Sequence, residues 1–585
     1  MKVSLVGAEL EENLGLRYMA SALEAAGHQA DIVPFASEYE IPDVVNRVVK
    51  DQPDITGLSM VFTGRGREFC HLAQALRQAG YRGHLIGGGP FASFNCERLL
   101  RDYPEFDSIG LGEGEELICN LAANLEDVSR VSGLCYRRRD GSIGLNPSKG
   151  NPDNLDALAF PKRTTFHSYF DKPIASVLTS RGCWRECAFC SINAWYQRGG
   201  GKKFRIRSVE SIVAEVEELY FKYGVRIFNF QDDNFFLPNP EKAERRFEQL
   251  RSRLRDEGVG RIAIAVKARP DSITYGSIRV LDQLGLFRVF LGVENASETG
   301  LRHLNRKSCL AEILNALEIL NEFGVHIAYN LLMFEPETTL DEILINLRFM
   351  ERHIENPFNF CRAEAYAGTG LETKLVSEGR LLGDYFGFDY RIHDPRSEAF
   401  HQIANYAFFN RNFSDYGLHY FNMQVDFYFQ LLRRFHPEAL TQSLRAAVRN
   451  FIKLTNLDTY ECICRIYDFV AKSDPQDQTR LRAFAGELRE RVDARSTQLL
   501  ARGECILSWL ETTYQRRETG PVEIPEMPFS DVSSFQPTRR SEAGAVNPFD
   551  PFGLTPIPIP YDVFKARLNA ERRVHSEQQP ASCPN

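Results

Sequence analysis

The sequence lacks long stretches of any one kind of residue. No window of about 18 residues is apolar and free of charge, so no transmembrane helix is expected. No long basic run is present and the net charge is −8, which makes nucleic acid a poor candidate partner. No repeat of solenoid length is visible. Residues 1–7 are a short apolar run followed by glutamates, which predicts a strand and an acidic loop rather than a signal peptide.

The composition is that of an ordinary globular protein. Hydrophobic residues at 43% and charged residues at 25% exclude a mainly disordered, collagen-like or disulfide-scaffold chain. At roughly 150 residues per domain, 585 residues predict about three to four units. The thirteen cysteines are odd in number and scattered, which favours reduced thiols in the cytoplasm. Ten of them show no tight pattern and are expected to be small buried or incidental residues: Cys70, Cys96, Cys119, Cys135, Cys309, Cys361, Cys462, Cys464, Cys505 and Cys583.

The order of strand-like and helix-like segments predicts the domains. Residues 1–126 alternate between the two, which predicts a doubly wound, Rossmann-like α/β domain with a parallel sheet. Residues 127–172 read as a connector that contains a hairpin turn. Residues 173–395 contain six further β/α units, which predict a partial, six-stranded (β/α)6 barrel. Both folds bind ligands at the carboxyl ends of their strands.

The last two segments have a different character. Residues 396–513 lose the strand pattern and are dense in Phe and Tyr, which predicts a helical domain. Those aromatic residues are interpreted as core, although they could also line a substrate cavity. Residues 514–585 are interpreted as an irregular tail, because 11 of the 28 prolines fall after residue 520.

One cysteine cluster carries chemistry. Cys183, Cys187 and Cys190 follow a predicted strand and are separated by three residues and then by two. Three thiolates at this spacing can hold a cubane iron–sulfur cluster and leave one iron open for a substrate or cofactor. Zinc and chance clustering are the alternatives. Structural zinc takes four protein ligands, and no fourth Cys or His lies nearby in the sequence.

This segment resembles the cluster motif of the radical S-adenosylmethionine (SAM) superfamily. Arg181-Gly182 precedes it and Phe189 stands before the last cysteine, as in that superfamily. Residues 292–295 resemble the family's Gly-x-Glu-Ser pattern, and residues 366–369 its Pro-Gly-Thr pattern. Residues 333–339 follow the fifth strand without the two glycines of a common family version.

The resemblance implies SAM contacts at the ends of the second, third and fourth barrel strands. Four residues are implied: Asp232, Asp233, Arg269 and Glu294. The two aspartates could instead cap a helix, and Glu294 could pair with a lysine of the barrel. No catalytic residue is identified from the sequence.

Residues 1–126 resemble the cobalamin-binding domain that often precedes such barrels. Glycine-rich turns follow the fourth and fifth strands, where they let the backbone approach a bulky ligand closely. The implied cobalamin contacts are Thr63, Arg65, Gly87, Gly88, Gly89, Gly112, Glu113 and Gly114.

The loop after the first strand departs from the pattern of many cobalamin proteins. Those proteins carry Asp-x-His-x-x-Gly there, and the His binds cobalt from below, whereas residues 7–13 contain no His. We therefore expect no histidine ligand from this loop. Arg65 and Arg67 could approach the lower face of cobalamin, or else be solvated or contact a phosphate. His71 and His84 are interpreted as surface or capping residues.

The combined resemblance covers residues 1–390 and implies a cobalamin-dependent radical SAM enzyme. Its cofactors would be a 4Fe–4S cluster, SAM and cobalamin, and its reaction the transfer of methyl from SAM to a carbon centre. Its implied partners are a small-molecule or peptide substrate and an electron donor such as flavodoxin or ferredoxin. The alternatives are ring closure or oxidation without methyl transfer, a radical SAM enzyme with a vestigial cobalamin domain, and a non-enzymatic cobalamin sensor.

Overall fold

The computed structural model of the chain describes residues 1–9, 11–414 and 417–518. Most of the predicted tail, together with Cys583, lies outside the described residues. The twelve cysteines within them are all free. No helix in the described ranges is long and apolar enough to cross a membrane.

The N-terminal domain is a doubly wound sheet, as the alternation predicts. Its strands are β1 (Lys2–Gly7), β2 (Gln29–Pro34), β3 (Ile55–Ser59), β4 (His84–Gly88), β5 (Ser108–Gly110), β6 (Leu134–Arg137) and β7 (Ile143–Leu145). Its helices are α1 (Leu14–Ala25), α2 (Ile41–Asp51), α3 (Gly66–Gln78), α4 (Pro90–Phe94), α5 (Cys96–Asp102) and α6 (Gly114–Ala123). The strand order is β2-β1-β3-β4-β5-β6-β7, parallel from β2 to β5 and antiparallel beyond. Part of the predicted connector therefore extends this sheet.

Apolar residues on both faces of β1 explain the two helical layers. Val3 and Leu5 pack under α1 and α6, whereas Val6, on the opposite face, packs under α2 and α3. Successive side chains of a strand point to opposite faces, so a strand that is apolar on both must be covered on both.

The second sheet is a curled partial barrel. The strands of this part of the chain are β8 (Ser168–Tyr169), β9 (Lys172–Val177), β10 (Ser180–Gly182), β11 (Phe204–Ile206), β12 (Ile227–Phe230), β13 (Ala263–Ala268), β14 (Leu286–Leu291), β15 (His326–Phe334), β16 (Phe358–Arg362), β17 (Leu382–Asp384) and β18 (Gly387–Asp389). Strands β9, β12, β13, β14, β15 and β16 are neighbours in chain order and all parallel, with β8 antiparallel at one edge. All six predicted barrel strands are present.

Eight helices connect these strands. They are α7 (Ile192–Gly199), α8 (Val209–Lys222), α9 (Pro240–Asp256), α10 (Tyr275–Leu284), α11 (Glu298–His303), α12 (Leu310–Glu322), α13 (Leu340–Arg352) and α14 (Gly370–Ser377). Helix α8 begins after Ser208, whose side chain accepts a hydrogen bond from the Ser211 N–H at 3.0 Å. Helix α10 ends at Gly285, whose φ of 124° suits glycine.

The predicted helical domain consists of four helices. They are α15 (Pro395–Phe413), α16 (Leu418–Phe435), α17 (Gln442–Lys472) and α18 (Gln478–Gln515). Helix α16 packs against the sheet face opposite α8, α9 and α10. There the Phe427 ring lies 5.0 Å from Tyr169 and 5.2 Å from Phe287, between ring centroids. This helix therefore fills the barrel below the carboxyl ends of its strands.

Candidate functional site

One cavity lies where the carboxyl ends of the strands of both sheets meet. The N-terminal domain contributes residues 61–64 after β3, and Pro90, Phe91, Phe94 and Asn95 after β4. The barrel contributes the cysteine loop after β10 and residues that end β12, β13 and β14. Among the lining residues that the structure describes there is no histidine.

The cysteine loop is held at both sides by backbone hydrogen bonds. The Ala188 N–H donates to the Leu304 carbonyl at 2.9 Å, and the Ala188 carbonyl accepts from the Leu371 N–H at 2.7 Å. Arg185 forms an ion pair with the buried Asp271 at 2.6 Å. The loop is thus held between later barrel segments.

All three predicted cluster ligands are half-buried and line this cavity. Burial raises the pKa of the Cys183 and Cys190 thiols, and binding to a metal would favour their thiolate forms. No three His, Cys, Asp or Glu side chains in the described ranges converge closely enough to hold a single metal ion. In a cubane cluster each cysteine binds a different iron, so the three sulfurs lie farther apart than the ligands of a single ion. A set of three thiols fits such a cluster.

Cys187 is the cysteine that two arginines contact. Arg306 Nη1 donates to its Sγ at 3.3 Å and Arg269 Nη1 at 3.5 Å. Arg269 is one of the predicted SAM contacts, whereas Arg306 has no sequence motif that singles it out. It reaches the site because the chain after α11 folds back over the end of β14, where Arg306 Nη2 donates to the Gly292 carbonyl at 2.5 Å.

Glu294 lines the cavity at the end of β14 in a strained backbone conformation. Its φ is 64°, in the left-handed region that non-glycine residues seldom adopt. The surrounding structure holds it there, since its N–H donates to the Asn330 carbonyl at 3.1 Å. Burial raises the pKa of Glu294, and Arg306 and Arg269 oppose this effect. Strain at a cavity-facing carboxylate is typical of a binding residue.

The two predicted aspartates point in different directions. Asp233 lines the cavity and accepts a hydrogen bond from the Gly182 N–H at 3.0 Å. Burial raises its pKa, and nearby Lys267 lowers it. Asp232 is fully buried and accepts from the Thr179 N–H at 3.0 Å and the Thr179 hydroxyl at 2.8 Å. It therefore lies outside the cavity lining and anchors the chain that leads into the cysteine loop.

Lys267 is a lining residue that sequence reasoning did not select. It lies in β13 and faces the cavity together with Phe290 of β14. The alternation along β13 could have found it, because Ala263 and Ala265 share its face.

Of the two predicted cobalamin contacts after β3, one lines the cavity and the other does not. Thr63 lines the cavity. The Arg65 guanidinium turns away, forming an ion pair with Glu68 at 2.8 Å and donating to the Phe35 carbonyl at 3.2 Å. Arg67 pairs with Asp384 at the surface.

The glycines after β4 permit close packing beside the cavity. A Cβ on Gly87 would lie 2.8 Å from Ile109, and one on Gly89 2.9 Å from the Met60 carbonyl oxygen. Gly89 also has a φ of 98°. A Cβ on Gly88 would meet nothing within 4 Å, so open space adjoins the backbone there.

Gly112 and Glu113 lie at the contact between the two domains, and Gly114 packs within the N-terminal domain. A Cβ on Gly112 would stand 2.8 Å from the Gly199 Cα, and one on Gly114 would clash with Met19. Glu113 forms buried ion pairs with Arg205 and with Arg181, the latter at 3.2 Å. The structure thus places these three residues against other protein groups.

The acidic loop after β1 also contacts the barrel. The Glu12 carboxylate accepts from the Ser176 N–H at 2.6 Å and pairs with Arg163 at 2.8 Å. Gln231 of the barrel donates to Glu11 at 3.1 Å. In this chain the loop that lacks the histidine is a docking loop.

Comparison with known proteins agrees with this architecture. Residues 5–122 match the family model of the B12 binding domain, and residues 177–349 match that of the Radical SAM superfamily. The protein described as uncharacterized methyltransferase PH0819 of Pyrococcus horikoshii is 26% identical over 63% of this chain and 79% of its own length. The anaerobic magnesium-protoporphyrin IX monomethyl ester cyclase of Synechocystis is 26% identical over 53% of this chain and 62% of its own length.

The solved structure of the cobalamin-dependent SAM radical enzyme OxsB with aqua-cobalamin bound shares the fold. Its TM-score is 0.62 at 15% identity, over 88% of this chain and 84% of that one. The chain belongs to the cobalamin-binding radical SAM family. Its cofactors are those of the family: a 4Fe–4S cluster, SAM and cobalamin.

Proposed function

We propose that this enzyme transfers the methyl group of SAM, by way of cobalamin, to a carbon centre of a small molecule. The observation that carries the proposal is the shared cavity, to which the cysteine loop and residues 61–64 of the N-terminal domain both contribute. A group bound at the cysteines and a group bound at the N-terminal sheet would face each other there. The broader match to the Pyrococcus relative, itself described as a methyltransferase, supports the same reaction.

Each lining residue has a role in this proposal. Cys183, Cys187 and Cys190 would hold three irons of the cluster. When bound, the cluster supplies the electron that cleaves SAM and cobalamin carries the methyl group. Asp233 and Glu294, two carboxylates that line the cavity, would bind the amino and hydroxyl groups of SAM. The Gly182 N–H orients the Asp233 carboxylate, and the hydrogen bond from the Glu294 N–H to the Asn330 carbonyl fixes the Glu294 backbone; both reduce the cost of orientation.

Aromatic side chains line both sides of the cavity. Phe62, Phe91 and Phe94 line it on the cobalamin side, and Phe189 and Phe290 on the barrel side. An apolar lining protects a reactive species from water and strengthens the charged contacts within. The proposal further includes an electron donor such as flavodoxin or ferredoxin and a cytoplasmic location, where thiols stay reduced.

Methyl labelling tests the reaction even while the substrate is unidentified. Reconstituted enzyme is reduced anaerobically with SAM that carries a trideuterated methyl group, and the protein-bound cobalamin is analysed by mass spectrometry. We expect the label first on cobalamin and then on one component of an added small-molecule extract. Glu294→Gln should slow SAM cleavage, whereas Glu298→Gln, a solvent-side control on α11, should not.

One outcome would move the enzyme to the cyclase or oxidoreductase alternative. In that outcome deoxyadenosine accumulates and a product forms, while neither cobalamin nor product carries the label. The likeness to the Synechocystis cyclase makes this alternative concrete.

A further inference from the structure

The three cysteines of the loop differ in their hydrogen-bond donors. Cys183 and Cys190 accept from the backbone N–H groups of Arg185 and Ile192. Cys187 accepts from two guanidinium groups, and in the described ranges no arginine donates to either of the other two sulfurs.

Both arginines are buried and held rigidly. Arg306 is 4% exposed and Arg269 6%. Arg269 Nη2 donates to the Arg306 carbonyl at 2.5 Å, and its Nε donates to Asp271 at 2.9 Å. Asp271 also pairs with Arg185 of the cysteine loop. The same carboxylate therefore orients both Arg269 and the loop that carries Cys187. The two donors therefore reach Cys187 without a conformational change.

Their charges are only partly balanced. Arg269 is paired with Asp271, but the carboxylate nearest to Arg306 is Glu294, 3.8 Å away from its Nη1. A positive charge at this sulfur is electrostatically strong because little water screens it.

We propose that Arg306 and Arg269 raise the reduction potential of the cluster through Cys187. Reduction adds one electron to the cluster and no proton, so the thiolate-bound group becomes more negative by one charge. Charge-assisted hydrogen bonds to a cluster sulfur stabilise that added charge. Arg269, which the sequence implies as a SAM contact, then acts on the cysteine instead. This inference rests on the cluster alone, so it can fail or hold independently of methyl transfer.

The test is a redox titration of the full-length, reconstituted protein without SAM or substrate. The cluster is reduced with dithionite in steps and the reduced form is measured by electron paramagnetic resonance. Arg306→Gln and Arg269→Gln should each lower the equilibrium constant for reduction about tenfold, which is about 59 mV for a one-electron couple. Arg306→Lys keeps the charge and should fall between Arg306→Gln and the unmodified enzyme.

Arg302→Gln is the matched control. Arg302 lies on the same segment, is exposed, and contacts Thr299 Oγ1 at 2.7 Å. Its loss removes an equal charge and should leave the potential unchanged. Iron content is measured in every variant. Unchanged potentials at full iron content would overturn the inference. Loss of iron from all three variants at Arg306 and Arg269 would also overturn it and leave the arginines a role only in folding the loop.

Discussion

Substitution of Glu113 tests whether this residue contacts the cofactor or joins the two domains. The family resemblance implies that it touches cobalamin, whereas the structure pairs it with two arginines of the barrel domain. The Glu113 side chain is 5% exposed and that of Arg205 1% exposed. The substitution Glu113→Gln keeps the shape of the side chain and removes the charge.

The structure gives the expected size of the effect. Arg181 keeps a second carboxylate, because Glu115 pairs with it at 2.6 Å. Arg205 keeps only a neutral acceptor, the Pro152 carbonyl at 2.6 Å. Removing one partner of a buried ion pair costs about 3–5 kcal/mol, because the remaining charge stays buried without compensation. Arg205 meets this description, so we expect a loss near the lower end, about 3 kcal/mol, in the free energy of unfolding.

The assay is urea unfolding of the cobalamin-free protein, followed by circular dichroism and tryptophan fluorescence. Trp195 is a useful reporter, since its indole N–H donates to Ser93 across the same domain junction at 3.4 Å. A protein of several domains can unfold in more than one step, so the first transition is the one compared. Glu116→Gln is the control, because Glu116 lies in the same first turn of α6 and is exposed.

The reasoning would be refuted by a specific pair of results. If Glu113→Gln unfolds at the same urea concentration as Glu116→Gln while its cobalamin affinity falls, Glu113 is a cofactor contact. If the cobalamin-free protein is destabilised, the ion pairs between the domains are its role.

Three further predictions concern the cofactors and the pH dependence of stability. Replacing Cys183, Cys187 and Cys190 together by Ala should abolish cluster iron and sulfide, whereas Cys505→Ala, at an exposed cysteine, should retain both; normal iron in the triple variant would contradict the ligand assignment. Electron paramagnetic resonance of bound cob(II)alamin should show no nitrogen splitting from the protein, because the described lining residues contain no histidine; such splitting would show that the loop after β1 is misinterpreted. Burial lowers the pKa of His401 to about 3, so the unfolded chain takes up a proton that the folded one refuses as the pH falls below about 6.5. The free energy of unfolding should therefore fall by up to about 1.4 kcal/mol per pH unit from that pH down to about 3. His401→Asn should remove this one-proton contribution to the pH dependence, whereas His71→Asn should keep it. Equal pH dependence in both variants would show that His401 titrates normally.

The parallel strands of both sheets could be predicted from the sequence because they are short, largely apolar runs bounded by turn residues, whereas β10, β17 and β18 contain at most one large apolar residue each. Helix α9 could not be singled out so easily. It is highly charged, and its buried positions form one narrow stripe of four residues: Ala243, Phe247, Leu250 and Leu254. Helix α2 likewise buries only two of its 11 residues, Val44 and Val48.

The family resemblance predicts that the three cysteines and Glu294 lie together, and all four line the cavity at strand ends. Their roles in holding the cluster and SAM stay predictions. Asp232 and Asp233 are consecutive, and neighbouring side chains after a strand point to opposite sides, so both could not face one cavity. Arg306 was beyond sequence reasoning, because its contact with Cys187 joins residues 119 positions apart through the turn after α11.

The loop after β1 lacks the histidine motif and has a different role. Where other cobalamin domains carry a histidine, this chain carries glutamates that reach across the domain junction. Glu12 is 8% exposed and bonds a backbone N–H of β9, the strand that leads to the cysteine loop. A carboxylate buried this deeply is stable only when paired, and Arg163 and Arg17 surround it. The glutamates of this loop therefore hold the N-terminal sheet against the barrel strand that leads to the cysteines.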